Sequence, residues 1–454
     1  MIHKYQLNGC NIVLDVHSGG VHIVDDLTYR MLDLIQPPLQ PVCPETARDV
    51  LADTYTDAEI TEAYQELYQM YQDGVLFSED DYAQFADRMV ASPIKAMCLH
   101  ISHDCNLRCK YCFASTGDFG QGRMLMPVET GKKAIDFLLE HSKGRRNLEL
   151  DFFGGEPLMN CGAVKEVVRY ARSKEKEYNK NFRFTITTNG VLLDQEKIDF
   201  INAEMSNVVL SLDGRKEVND RMRPDVGGHG SYDRIIDRYK ALVQTRGDKD
   251  YYVRGTFTKY NLDFMEDVLH ISRQGFDQLS VEPVVTDPQM PYALTEEDLP
   301  AIFAEYERLA AYMASPEHRG EFNFFHFMID LDQGPCAIKR LRGCGCGNEY
   351  VAVTPDGDIY PCHQFVGMEE WKMGNLEDGT FDFRKKDFFA QTTIYNKEDC
   401  RTCWAKFYCS GGCNANNLQY SGDVLKAHKL SCELEKKRVE CAIMIKACRM
   451  MDAE

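Results

Sequence analysis

The 454-residue sequence has no apolar run approaching the roughly 20 residues that a membrane-spanning helix needs, which excludes an integral helical membrane protein. Its opening, MIHKYQLNGCNIVLDV, lacks a charged region followed by an apolar core and a small-residue cleavage site, so no secretory signal is expected and the expected address is cytoplasmic. Positive charge is scarce: 52 Lys and Arg stand against 71 Asp and Glu, a net charge of −19. That balance argues against a phosphate-binding surface spread over the protein, and nucleic acid is not an expected partner. No internal repeat or low-complexity tract is seen. Apolar content of 44% and charged content of 27% are those of an ordinary globular protein, long enough for about two to four domains.

Cysteine is what the chain has in excess. In a reducing compartment, 18 cysteines point to metal ligands or reactive groups more than to disulfides. Their distribution agrees, because only Cys161 lies between Cys112 and Cys336 while the last 120 or so residues hold eleven.

Residues 2–26 read as three short strands (KYQLNG, NIVLDVHS, GVHIVDD) broken by the hairpin signals Asn8-Gly9 and Gly19-Gly20. Three helical patterns follow, DDLTYRMLDLI, PETARDVLADTY and TDAEITEAYQELYQMYQDGVL, giving a winged-helix-like β3α3 domain over residues 1–88. From about residue 89 to 315, six apolar strand candidates alternate with amphipathic helices, which predicts an α/β fold, a partial (β/α)6 barrel of the TIM type. Reactive groups then belong at the carboxyl ends of the strands, where the sequence reads SHDC, FFGGEP, TTNG, SLDG, TFTK and EPVV. Residues 316–454 form a third, cysteine-rich region with a hairpin around Asp356-Gly357 and an amphipathic final helix. This region has too little continuous apolar sequence for its own core, so metal is expected to supply the missing stability.

The first cysteine group is SHDCNLRCKYCFAS, in which Cys105, Cys109 and Cys112 make C-x3-C-x2-C behind the first barrel strand. Cysteine is the normal ligand of iron-sulfur centres, and three thiolates on a 4Fe-4S cube leave one iron open, a mark of catalysis more than of structure. The motif, with Tyr111 and Phe113 flanking Cys112, resembles that of the radical S-adenosylmethionine (SAM) enzymes. The resemblance implies that GGEP (Gly154, Gly155 and Glu156 before Pro157) meets the amino group of SAM. It places TTNG with Asn189, and SLDG with Ser211 and Asp213, near the ribose and carboxylate. Tyr111 joins this cofactor set, and Arg223 and Arg254 are the candidates for a carboxylate salt bridge. It further implies that a reduced cluster passes one electron to the sulfonium and that the 5′-deoxyadenosyl radical takes a hydrogen atom from substrate.

Downstream come Cys344, Cys346 and Gly357-x4-Cys362, then C-x2-C-x5-C-x3-C from Cys400 to Cys413, then Cys432. This pattern resembles the SPASM domain of radical SAM peptide-modifying enzymes. The resemblance assigns Cys400, Cys403, Cys409 and Cys432 to one auxiliary 4Fe-4S cluster and Cys344, Cys362 and Cys413 to another, three clusters in all. Two alternatives stand for Cys346: it is the fourth ligand of the second auxiliary cluster, or the tight turn keeps it away and leaves an iron open to a substrate thiolate. C-x2-C pairs also suit tetrahedral zinc. The other cysteines, at 10, 43, 98, 161, 336, 441 and 448, read as small apolar residues.

The N-terminal domain resembles a RiPP recognition element, which binds the leader of a ribosomally made precursor peptide, here as a strand added to GVHIVDD with side chains packing on the third helix. The whole chain resembles the maturases of six-cysteine (SCIFF) peptides, which join a Cys sulfur to a carbon of another residue as an intramolecular thioether, the bond of sactipeptides and ranthipeptides. That implies a cysteine-rich precursor as partner and a reductant such as ferredoxin or flavodoxin. The competing enzyme reading is an anaerobic sulfatase maturase, which makes formylglycine; that family has Asp directly after the Gly-x4-Cys cysteine, where this sequence has His363. The non-enzymatic alternative is an iron-sulfur electron carrier or leader-binding scaffold.

Overall fold

The computed structural model describes residues 1–86, 91–331 and 337–451; the expected domain boundary at 88 and Cys336 lie outside these. The chain opens with β1 (Ile2–Leu7), β2 (Cys10–Asp15) and β3 (Val21–Val24), an antiparallel sheet in that order. Asn8 (φ 50°) and Gly9 (φ 77°) both take positive φ, the conformation a two-residue hairpin of right-handed twist requires. Helices at Asp26–Met31, Glu45–Leu51 and Asp57–Gln72 follow, then a short one at Ala83–Ala86. Thr56 and Glu59 form a reciprocal capping box at the start of the third, satisfying two otherwise unpaired N–H groups. Alternation along β2 divides its side chains between two cores. Val13 packs with the helices, while Cys10, Ile12 and Leu14 join the main core of the protein.

The second sheet has eleven strands. Six parallel ones form the barrel wall: β4 (Ala96–Ser102), β5 (Asn147–Gly154), β6 (Asn181–Thr188), β7 (Met205–Ser211), β8 (Asp250–Phe257) and β9 (Gln278–Pro283). The order continues past β9 to β10 (Asn323–Phe324). On the other side of β4 it runs through β11 (Tyr350–Val353), β12 (Asp358–Tyr360), β13 (Gly374–Asn375) and β14 (Thr380–Phe381). Among the described residues the ends do not meet, so the barrel is partial, as expected. Leu148, Leu150, Phe152, Phe182, Phe184 and Ile186 are buried on the helix side, while Asp151, Phe153, Thr185 and Thr187 on the alternate face are only half-buried and line the lumen.

The cysteine-rich region departs from the reading of a module held by metal alone. β11 pairs in parallel with β4, Tyr350 opposite Ala96 through Val353 opposite Leu99, and β10 pairs with β9 beyond the expected boundary at 315. The short run Val351-Ala352-Val353 cannot make a core, but beside the wholly buried β4 it shares the barrel's. The final helix, Lys429–Met451, packs along Leu299–Ala314 and reaches back to the first sheet, where the Tyr5 hydroxyl donates to the Glu440 carbonyl at 2.9 Å. Among the described residues no helix is long and apolar enough to cross a membrane.

Candidate functional site

The Cys105–Cys112 loop leaves the carboxyl end of β4 and is pinned on every side. Asp104 accepts from the Cys105 N–H at 2.8 Å. The N–H groups of Arg108 and Lys110 donate to the carbonyls of Pro224 and Met222, and the Tyr292 hydroxyl donates to the Lys110 carbonyl at 2.7 Å. The GGE turn at the end of β5 clamps its start: Gly155 N–H donates to Ser102 O at 2.7 Å and Glu156 N–H to Asp104 O at 2.9 Å. A Cβ on Gly155 would stand 2.2 Å from Asp104 O, and one on Gly154 2.2 Å from Ser102 O. The close approach these glycines permit is therefore to the cysteine loop itself. Its three thiols act on one another electrostatically, and burial pushes Cys105 up to about 12 and Cys109 to about 11. Neutral thiols at pH 7 ionise readily here only against the positive charge of a metal.

The expected cofactor residues form two clusters around this loop. The buried Glu156 carboxylate accepts from Leu158 N–H, Thr188 Oγ1 and Asn189 N–H at 2.7–3.0 Å, so it holds the TTNG turn in place. Asn189 then extends Nδ2 to Cys105 Sγ at 3.5 Å and to Asn106 at 2.8 Å. In the second cluster the Tyr111 hydroxyl donates to Asp213 at 2.7 Å and accepts from Arg223 Nη1 at 2.9 Å. Burial lifts Asp213 to about 6, against the opposing pull of Arg223, whose charge also faces Cys109 and Cys112. Arg223 Nε is buried with no hydrogen-bond partner among the described residues. Ser211 accepts from the Tyr239 hydroxyl through its carbonyl at 3.1 Å. Arg254 stands opposite Ser211 across β7 and β8; its half-exposed side chain lies 3.5 Å from Glu282 and its charge faces His363.

The later cysteines lie in two neighbourhoods. Cys400, Cys403, Cys409 and Cys432 interact with one another and line a cavity of about 530 Å³. Cys344, Cys346, Cys362 and Cys413 form the other, in which the Cys346 thiol bonds to Cys362 and lowers its pKa. Cys346 is buried, with Cys362, Cys344 and Cys413 as its neighbouring thiols. Among the described residues no three His, Cys, Asp or Glu side chains converge closely enough to hold a single metal ion. The cavity among Cys400, Cys403, Cys409 and Cys432 has room for a multi-iron core.

Several further residues at the site were not among the expected ligands or cofactor contacts. Lys397 is buried between the two later groups, its ammonium donating to Gly411 O at 2.7 Å and Asn414 at 2.8 Å while its charge faces Cys400, Cys409, Cys413 and Cys344. His363 sits against the rings of Phe113 and Phe153, 5.5 and 5.1 Å between centroids, where burial pushes it down to about 4. The loop between Cys403 and Cys409 carries the N-terminal domain. Trp404 stacks on His3 at 3.7 Å, Lys406 donates to Asp80 at 2.7 Å, and Phe407 packs on Tyr82. Only long-range pairing brings these segments together.

Comparison with known proteins agrees with this geometry. The model of the radical SAM superfamily matches residues 99–274, and that of the iron-sulfur cluster-binding SPASM domain matches residues 344–404. A cysteine-type anaerobic sulfatase-maturating enzyme of Clostridium novyi is 25% identical over 69% of this chain and 86% of its own length. The radical SAM cyclopropyl synthase TigE of Paramaledivibacter caminithermalis is 20% identical over 94% of this chain and 91% of its own. Among solved structures, Streptococcus suis SuiB bound to S-adenosylmethionine superposes with a TM-score of 0.55 at 18% identity, covering 95% of this chain and 98% of SuiB; SuiB has also been solved with its precursor peptide SuiA.

Proposed function

Starting from a radical SAM enzyme that carries a SPASM domain, which is what this chain is, we propose a more specific reading: a peptide maturase that forms intramolecular thioether crosslinks in a cysteine-rich, ribosomally made precursor. The observation that carries it is the N-terminal three-stranded sheet, docked on the Cys403–Cys409 loop with one edge of β3 unpaired among the described residues. A peptide added to that edge is held on the same body as the barrel. The likeness to TigE and SuiB extends over this domain, which supports the reading.

The donor sets fit the implied groups. Cys105, Cys109 and Cys112 would hold one 4Fe-4S cluster, Cys400, Cys403, Cys409 and Cys432 a second, and Cys344, Cys346, Cys362 and Cys413 a third. When bound, the first cluster and SAM supply a carbon-centred radical able to abstract a hydrogen atom. The chain's own residues orient and exclude. Glu156 fixes the TTNG turn so that Asn189 donates to Cys105, and the Tyr111–Asp213–Arg223 cluster places a buried cation beside Cys109. Phe113 and Phe153 pack on His363, whose imidazole is kept neutral by burial and by the facing charge of Arg254, so it adds no positive charge where a substrate thiol would lose its proton. Forming the S–C bond releases that proton, one hydrogen atom from carbon and one electron, which an auxiliary cluster is suited to accept.

Anaerobic incubation with SAM, a reductant and the precursor should give a peptide lighter by two hydrogens whose linked thiol resists alkylation. An unchanged mass would refute the reading. The similarity to sulfatase-maturating enzymes keeps formylglycine formation as the second reading. It predicts loss of sulfur from the peptide in place of a crosslink.

A further inference from the structure

We propose that Lys397 is the counter-cation shared by the two later cysteine groups, and that its charge makes the iron-sulfur groups they would hold better electron acceptors. The inference rests on reading those cysteines as two iron-sulfur ligand sets and names the residue that adjusts them.

A buried ammonium is costly unless negative charge answers it. Among the described residues three lysines are buried, and two have such an answer: Lys406 pairs with Asp80 at 2.7 Å, and the charge of Lys386 is faced by Asp387 and Glu349. Lys397 is 1% exposed and forms no ion pair with a carboxylate among the described residues. Its Nζ donates to two neutral acceptors, Gly411 O at 2.7 Å and Asn414 Oδ1 at 2.8 Å, while its charge faces Cys400, Cys409, Cys413 and Cys344. The answering charge is therefore that of the thiolates, two from each set.

The side chain is held where it serves both. The Cys409–Cys413 turn gives one sulfur to each set, and Ser410, Gly411 and Gly412 within it all take positive φ, 58°, 88° and 70°. The turn presents Gly411 O to the ammonium at close quarters, since a Cβ on Gly411 would stand 3.1 Å from Nζ. Asn414 donates through Nδ2 to Thr392 Oγ1 at 3.3 Å, which keeps its oxygen toward Lys397. On the other side the Cys400 N–H donates to Lys397 O at 3.0 Å, so one residue ties the Cys400 segment to the turn. Reduction adds negative charge to a group its thiolates already make negative, and in a dry site a fixed cation favours the more negative state. The electron concerned is the one released as the S–C bond forms. No bond at the group is made or broken, and the thiol proton leaves separately.

Redox titration followed by electron paramagnetic resonance tests this on the full chain carrying Cys105→Ala, in which only the two later groups hold iron. At unchanged iron content, Lys397→Gln keeps a donor and removes the charge. It should make reduction about tenfold less favourable or more, a midpoint about 59 mV more negative for one electron. Lys397→Arg keeps the charge and should stay within about threefold of the parent. Asn414→Asp sets a carboxylate against the ammonium and should shift the midpoint in the same direction as Lys397→Gln. An unchanged midpoint in Lys397→Gln at full iron, or an Arg variant that moves as far as the Gln one, would overturn the proposal; if Lys397→Gln sheds iron, Asn414→Asp decides in its place. Zinc in place of iron in the parent would defeat the ligand-set reading and this inference together. The precursor separates the inference from the thioether reading. Midpoints that respond to the charge at residue 397, in an enzyme that leaves the precursor unlinked, uphold the inference and defeat that reading; unresponsive midpoints in an enzyme that makes the crosslink do the reverse.

Discussion

Two cysteine loops, Cys105–Cys112 and Cys400–Cys409, use the same ligand chemistry in different surroundings. The first has three thiols, and its backbone is tied inward to β5, to the Met222–Pro224 segment and to Tyr292, with Asn189 and Arg223 turned toward its sulfurs. The second has four mutually interacting thiols around a cavity, counting Cys432 from the final helix, and its outer face is used for docking through Trp404, Lys406 and Phe407. As proposed ligand sets, three donors at the mouth of a barrel would leave one position for a reacting ligand, and four behind a docking surface would leave none. What a cysteine cluster does is thus set by the number of its donors and by what packs on the far side of the loop.

The largest effect that would sharpen this contrast comes from removing a ligand on each side. Cys105→Ala should bring 5′-deoxyadenosine formation to background with a loss of about four irons per chain. Cys432→Ala should lose a similar amount of iron, lower the thermal midpoint and retain SAM cleavage without peptide. If both variants behave alike, the distinction between the loops is wrong. Next, Gly155→Ala forces a Cβ against Asp104 O, and should cost on the order of 3 kcal/mol together with most of the iron of the first loop alone. Iron retained at all three groups would show that this clamp is dispensable.

On the docking side, Lys406→Met leaves Asp80 without its cation in a half-buried site and should destabilise by about 2 kcal/mol. A double-mutant cycle with Asp80→Asn should show coupling; strict additivity would mean the pair does not fasten the N-terminal domain. A pH-dependent effect belongs to the lumen between the loops. Burial and Glu149 lift Asp151 to about 7, from an ordinary value near 4. A raised carboxyl pKa favours the fold when protonated, so its penalty is absent at about pH 4, grows as pH rises and is complete above about pH 7. Asp151→Asn should therefore raise the denaturation midpoint at pH 8 and leave it unchanged near pH 4.

The six barrel strands and the N-terminal order of strands and helices were legible in the linear chain, whereas the grouping of the later cysteines came only from the family resemblance. Period-2 and period-3.6 patterning is a local property, and ligand spacing within a loop is set by the short segment that carries it. The same logic failed where partners are distant. Nothing near residues 350–353 announces that they extend the barrel sheet beside β4, and the glycines of GGEP read as space for a ligand until Asp104 O is found against one of them. Arg223 and Arg254 were equal candidates by type; burial beside Tyr111 set one at the cysteine loop, and pairing with Glu282 set the other elsewhere.

The sequence by itself determined the donor chemistry: which thiols exist, how many each loop offers, and which strands end near them. The tertiary structure alone decided how those loops are used, by placing Lys406 on Asp80, Trp404 on His3 and Lys397 between two thiol groups. The physical reason is that a side chain's role depends on its burial and on the charge it faces. Both come from segments as much as 400 residues away in the chain, which only the closed sheet and the packed final helix bring within reach.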